Sequence, residues 1–171
     1  PTQEDLFWLS ADPDHLWVMD KLILARKLGY VCGPVGQDVP TPGYYIVRPC
    51  VNMLGLGLEA KKYWIEDETH TLTIGHFWCE WFEGRHLSVD YTNGTCTLAV
   101  EGFKSHTTFT KWDRWVKVDE HIALPTILEP FKNTYPNINC EFIDGKLIEV
   151  HFRANPDFDN SITEFIPVWQ G

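Results

Sequence analysis

The stretch Asn137 to Asp157, NINCEFIDGKLIEVHFRANPD, decides how this chain is read. It has the form of a β-hairpin with a short polar exit, and side chains on a strand alternate faces with period two. A two-residue turn at Asp144-Gly145 would send Glu141 and Glu149 to opposite faces, each mixing apolar and charged residues. A three-residue loop, Ile143-Asp144-Gly145 with Gly145 left-handed, separates them. Ile138, Cys140, Phe142, Ile148, Val150 and Phe152 then share one face, with Lys146 the intruder beside the turn. Asn139, Glu141, Glu149, His151 and Arg153 share the other. A sheet needs one apolar face to bury, so the three-residue loop is the expected register.

Two carboxylates, an imidazole and a guanidinium on one surface admit three chemistries. They could bind a hard divalent cation, do general acid–base work, or form a surface salt-bridge cluster worth only ~0–1 kcal/mol per pair. Carboxylates on neighbouring strands repel unless a cation lies between them, which favours the metal. Oxygen ligands point to magnesium, and ligation by His151 would bring in manganese.

The remaining sequence frames this hairpin. The chain has 171 residues, 44% hydrophobic, including eight tryptophans, which is enough for a sizeable core in one domain, or one domain with two lobes. A formal net charge of -10 disfavours a protein that holds nucleic acid by its phosphates. Five cysteines carry no C-x-x-C pair, which fits reduced thiols in a cytosol-like compartment. No apolar run approaches the ~20 residues of a membrane span. The expected location is the cytoplasm.

Asp12-Pro13 followed by His15 to Leu28 predicts one largely buried helix, capped by Asp12 and ended by Gly29, in which Lys21 needs a partner. Residues 30–43 read as a loop, and Tyr44 to Val47 as a strand ending at Arg48-Pro49. Asn52 to Gly57 is a loop whose Gly55 and Gly57 allow close backbone approach. Thr71 to Ile74 and Phe77 to Phe82 read as strands. Glu80, inside the aromatic run, is either at a strand edge facing water or paired with a ligand or cation. Leu87 to Val100 forms a hairpin about a type I′ turn at Asn93-Gly94, pairing Tyr91 with Cys96, Val89 with Leu98 and Leu87 with Val100. Residues 101–118 interleave basic and aromatic side chains as a solvated edge. Helical pieces are expected between Asp119 and Asn133, and a last strand within Ile162 to Trp169. The class is α+β.

Four segments in this order resemble the ATP-grasp superfamily. Met19-Asp20-Lys21-Leu22, closed by Leu28-Gly29, resembles its MDK helix. Tyr45-Ile46-Val47-Arg48-Pro49, with Gly55 and Gly57 behind it, resembles the strand that precedes its glycine loop. The run Cys79 to Asp90, CEWFEGRHLSVD, resembles the hinge strand EExxEGxExSV. Cys140-Glu141-Phe142 with Glu149-Val150-His151-Phe152-Arg153 resembles its metal-binding hairpin, usually E-x-N-x-R.

The resemblance implies an ATP-grasp-like fold, two small α+β lobes with antiparallel sheets enclosing a nucleotide cleft, approximately residues 14–85 and 86–171. It implies that Lys21 and Arg48 meet phosphates and that backbone near Gly55 and Gly57 covers them. Glu80 would lie at the adenine hinge, and His86 where the family has a ribose-binding Glu. Glu141, Glu149 and His151 would hold Mg²⁺ or Mn²⁺, and Arg153 would face an acyl-phosphate or the γ-phosphate. Members activate a carboxylate with ATP for attack by an amine or similar nucleophile. The substrate would be a small-molecule or peptide carboxylate, with a partner protein as one way of supplying the acceptor. Arg48, His86 and His151 replace the family's Lys, Glu and Asn, and the protein is expected to lack the family's leading α/β domain. That keeps open a non-catalytic nucleotide-binding or interaction module of the same fold, or a partner-binding protein unrelated to ATP. A compact chain of this kind would suit a viral or mobile-element genome, and thus a host cytoplasm.

Overall fold

The computed structural model describes residues 3–52, 60–105, 112–161 and 163–167. The chain divides into two units, Pro1–Phe82 and Glu83–Gly171, each built on one antiparallel sheet. Among the described residues no helix is long and apolar enough to cross a membrane. None of the five cysteines is in a disulfide.

The first unit opens with helix α1 (Gln3–Ser10) and a 3-10 helix (Pro13–Met19), followed by helix α2 (Lys21–Lys27). Its strands are β1 (Cys32–Pro34), β2 (Gly43–Pro49), β3 (Lys61–Ile65) and β4 (His76–Glu80), in the order β1-β4-β2-β3. The expected continuous helix is therefore two. Asp12 caps the first as anticipated, its carboxylate accepting from Asp14 N at 2.9 Å. The break comes at Asp20, whose side chain accepts from the N–H groups of Leu22 and Ile23 at 3.0 and 3.1 Å. A short carboxylate satisfies orphan donors better at a helix start than inside one, so Asp20 ends one helix and begins the next. Gly29, at φ +81°, follows α2.

Buried Lys21, Leu24 and Ala25 turn one side of α2 inward. Ala25 packs with Leu22 against Phe77 and Cys79 on one face of the sheet. The opposite face carries Tyr45, Val47, Ile65 and Trp78, closed by Val39. Each such aliphatic or aromatic side chain fully removed from water contributes roughly 1.5–3 kcal/mol. Thr71 to Ile74, expected as a strand, forms turns instead, with Ile74 92% exposed. Leu72 still packs on the Tyr45–Trp78 cluster, but the backbone closes on itself, with Leu72 N donating to Thr69 O at 3.0 Å and His76 N to Thr73 O at 3.2 Å.

The second unit contains β5 (His86–Thr92), β6 (Thr95–Phe103), β7 (Arg114–Lys117), a 3-10 helix (Thr126–Phe131), β8 (Asn137–Ile143), β9 (Lys146–His151) and β10 (Glu164–Phe165). The six strands run β10-β7-β6-β5-β8-β9. Between β5 and β6 the expected turn is present, with Asn93 at φ 49° and Gly94 at φ 82°, and Tyr91 pairs with Cys96. The pairing then departs from expectation, because the register shifts by one residue beside Tyr91. Val89 faces Ala99 and Leu87 faces Glu101, while Thr97 is looped out and donates its hydroxyl to Asp90 O at 3.2 Å.

The β8–β9 hairpin holds the larger correction. Ile143 pairs with Lys146, so the turn is the two-residue Asp144-Gly145, both residues at positive φ (51° and 73°), and not the three-residue loop. Asp-Gly accepts that backbone readily. Glu141 nevertheless pairs with Glu149, because Ile148 forms a bulge between the Phe142–Leu147 and Glu141–Glu149 pairs. The extra residue restores the phase that the short turn would have reversed. Leu147, 3% exposed, takes the apolar position expected for Ile148, and Lys146 moves to the polar face. Across the apolar face lies the segment after β7, where Tyr91 Oη donates to Ala123 O at 3.2 Å. Tyr135 there stacks on Phe152 at 3.8 Å between ring centroids, and Phe131 lies 5.8 Å from the same ring.

Candidate functional site

The polar face of the second sheet is built in rows across β5, β8 and β9. Ser88, Glu141 and Glu149 form one row; Asp90, Asn139 and His151 form the next. Glu141, Glu149 and His151 each offer a ligand atom, and these atoms lie within 4.8 Å of one another. His151 is only 6% exposed, and its Nε2 is 3.6 Å from Glu149 Oε1. Both carboxylates are half-buried. Two carboxylates and an imidazole converging in a semi-dry site form a donor set suited to a divalent cation.

Beneath them is a polar network that the sequence reading did not isolate. Asn139 Nδ2 donates to Asp90 Oδ1 at 2.9 Å and to Ser88 Oγ at 3.0 Å. Asn155 gives its backbone N–H to the same Asp90 oxygen at 3.0 Å, and its side chain reaches Ser88 Oγ at 3.3 Å. Ser88, Asp90 and Asn139 are all buried. Burial pushes the Asp90 carboxyl above its ordinary value, against the opposing pull of Asn155, Asn139 and the Arg153 charge. The signal was available: Ser88 and Asp90 alternate with Leu87, Val89 and Tyr91, so a buried hairpin had to bury them too.

His86, expected at a ribose, stands at the start of β5 with Nε2 3.3 Å from Glu141 Oε1. Its ring meets Trp112 and Trp115 edge-on at 4.6 and 5.8 Å. Arg153 is half-buried and donates to Ala154 O at 3.3 Å. Beside this site Arg85 pairs with Glu101 at 3.0 Å and Glu120 at 2.6 Å, which raises the guanidinium pKa further.

The first unit carries the remaining expected residues that are described. Lys21 is buried, at 6% exposure, and its ammonium donates to Asn52 Oδ1, the partner its burial required. Its backbone N–H donates to Cys50 O at 2.7 Å. Arg48 lies over the Phe77 ring at 5.5 Å. Glu80 ends β4, and its carboxylate accepts from Val31 N at 2.6 Å, so a backbone donor takes one oxygen of this strand-end residue. Gly55 and Gly57 lie outside the described residues.

No protein-family model matches the sequence, and no curated protein does. Solved structures do. The L-amino acid ligase from Bacillus licheniformis aligns over 81% of this chain and 41% of its own, with a TM-score of 0.50 and 12% identity. A protein assigned to the ATP-grasp superfamily from Archaeoglobus fulgidus aligns over 80% and 46%, with a TM-score of 0.47 and 18% identity. The ATP-grasp ligase PsnB, solved with a minimal precursor, Mg and ADP, aligns over 84% and 53%, with a TM-score of 0.49 and 15% identity. The chain thus spans about half the length of these proteins or less. Two antiparallel sheets in an α+β chain define the class, and the superposition narrows it: the chain has an ATP-grasp-like fold.

Proposed function

We propose that the chain is an ATP-dependent ligase that activates a carboxylate for attack by an amine or a similar nucleophile. The observation that carries the reading is the Glu141–Glu149–His151 cluster on the sheet face of an ATP-grasp-like fold. On this reading the three residues hold a divalent cation, magnesium or manganese, which supplies positive charge to the nucleotide's phosphate oxygens.

Lys21 and Arg48 give fixed cations to the same phosphates, and Gly55 and Gly57 give backbone N–H groups. Glu80 marks the strand end where the adenine is read. Arg153 faces the phosphoryl group in transfer. A substrate carboxylate oxygen attacks the γ-phosphorus and ADP leaves; the amine then attacks the acyl carbon and phosphate leaves. The chain's own part is positioning and charge stabilisation. The substrate is a small-molecule or peptide carboxylate, with a partner protein as one source of the acceptor. A cytoplasmic location, host cytoplasm for a viral chain, fits an ATP-dependent step.

The substitutions at Arg48, His86 and His151 favour a second reading, a nucleotide-binding or interaction module without turnover. Calorimetry with Mg·ATP tests the first: binding by the wild type and its loss in Glu149→Ala are expected. No binding, or binding unchanged in that variant, would sink it. Binding without ADP release across a panel of carboxylates and amines would select the second.

A further inference from the structure

The donor set says more about the cation than that it is divalent. Of the three clustered residues one is an imidazole, and it is the most buried of them. Magnesium dehydrates reluctantly and takes oxygen in near-octahedral geometry, keeping several waters. A buried imidazole offers it neither an oxygen nor a water. First-row transition cations accept imidazole nitrogen readily, and their affinity for mixed nitrogen and oxygen sites rises through the series.

The position of His151 is also fixed. It faces Asn139 across the β8–β9 ladder, and Asn139 is held by Ser88 and Asp90. The bulge at Ile148 sets the phase that brings Glu149 and His151 to one face with Glu141. His86 stands 3.3 Å from Glu141 Oε1 and orients that carboxylate from behind. The strand register and the bulge therefore set the positions of all three residues.

We propose that the Glu141–Glu149–His151 cluster binds a first-row transition cation of the manganese class in preference to magnesium, and does so without nucleotide, with His151 setting the preference. This rests on the reading of the cluster as a cation site, and it refines that reading by naming the ion.

Manganese titrated into the protein alone, followed by loss of the free-ion paramagnetic resonance signal and then by competition with magnesium, tests it. Wild type should take up manganese and keep it against magnesium in large excess. His151→Asn, which returns a carbonyl oxygen to the position, should narrow the manganese-to-magnesium preference by about tenfold or more. His151→Gln offers the same comparison should the Asn variant fail to fold. In the wild type, bound manganese should also broaden the His151 ring signals in nuclear magnetic resonance spectra. No manganese uptake by folded protein, displacement by magnesium at comparable concentration, an unchanged preference in a folded variant, or unbroadened His151 signals would each overturn the proposal. Because no nucleotide is in the tube, failure to bind ATP in a separate titration removes the ligase reading and leaves this one standing.

Discussion

His86 Nε2 and Glu141 Oε1 lie 3.3 Å apart on neighbouring strands, although their backbones are not ladder partners. His86 faces Ile143, and Glu141 faces Ser88, so the two side chains meet on the diagonal. The tryptophans at positions 112 and 115 hold the imidazole edge-on. This makes His86 a positioning residue for the carboxylate. His86→Ala should weaken cation affinity by on the order of tenfold, the usual cost of losing an outer partner, and His86→Gln should recover part of it. Manganese dissociation constants of the three proteins check this, with tryptophan fluorescence as the control for folding.

Asp90 predicts a pH dependence of stability. Its folded carboxyl pKa lies above the ordinary value, chiefly through burial. A raised folded pKa means stability fully present below the unfolded value, about 3.8–3.9, and lost as pH rises through the folded one. Both hydrogen bonds into the side chain end on Oδ1, which an asparagine can keep. Asp90→Asn should therefore gain on the wild type as pH rises from acid towards neutral. Urea midpoints across that range read the difference; a constant gap would contradict the argument.

Two glycines near the same turn should behave differently. Gly145 has φ +73°, and a Cβ there would meet nothing within 4 Å, so Gly145→Ala costs only the left-handed backbone, about 1–2 kcal/mol. Gly84 has φ +136°, and its Cβ would sit 2.7 Å from Asp144 Cβ and 3.2 Å from Asp144 Cα. Gly84→Ala adds a clash against backbone to the strain and should cost roughly 2 kcal/mol or more. Chemical denaturation of the pair gives the ranking.

Asp20 is the third local test. Asp20→Ala removes the acceptor for Leu22 and Ile23 at the start of α2, at a cost of about 1 kcal/mol. Amide exchange should accelerate at those two residues before it does in the sheet.

The legible parts of this chain were those where one local signal dominated. Asn93-Gly94 announced its turn, and the four family-like segments announced the fold. The break at Asp20 lies inside the expected helix because capping competes with an unbroken apolar run, and only the backbone decides between them. The short strands Cys32–Pro34 and Arg114–Lys117 were hidden among glycine, proline and mixed charge, and exist because neighbouring strands pair with them. The candidate site was read correctly as to which carboxylates share a face, but through the wrong turn. A register argument counts residues in a loop, and a bulge adds a residue that the count cannot see. Ser88, Asp90, Asn139 and Asn155 went unread as a network since they come from three separate segments.

The looped-out Ile148 makes the hairpin tolerant of a shift in length. Delete that one residue and the ladder closes without a gap, with Phe142 still facing Leu147, Glu141 still facing Glu149 and Cys140 still facing Val150. Delete Val150 instead, and His151 leaves the face that Glu141 and Glu149 share. The position thus acts as a slack link: strand length can vary there by one without disturbing the chemistry of the face, so relatives of this chain could differ in length at this point and still present the same two acids.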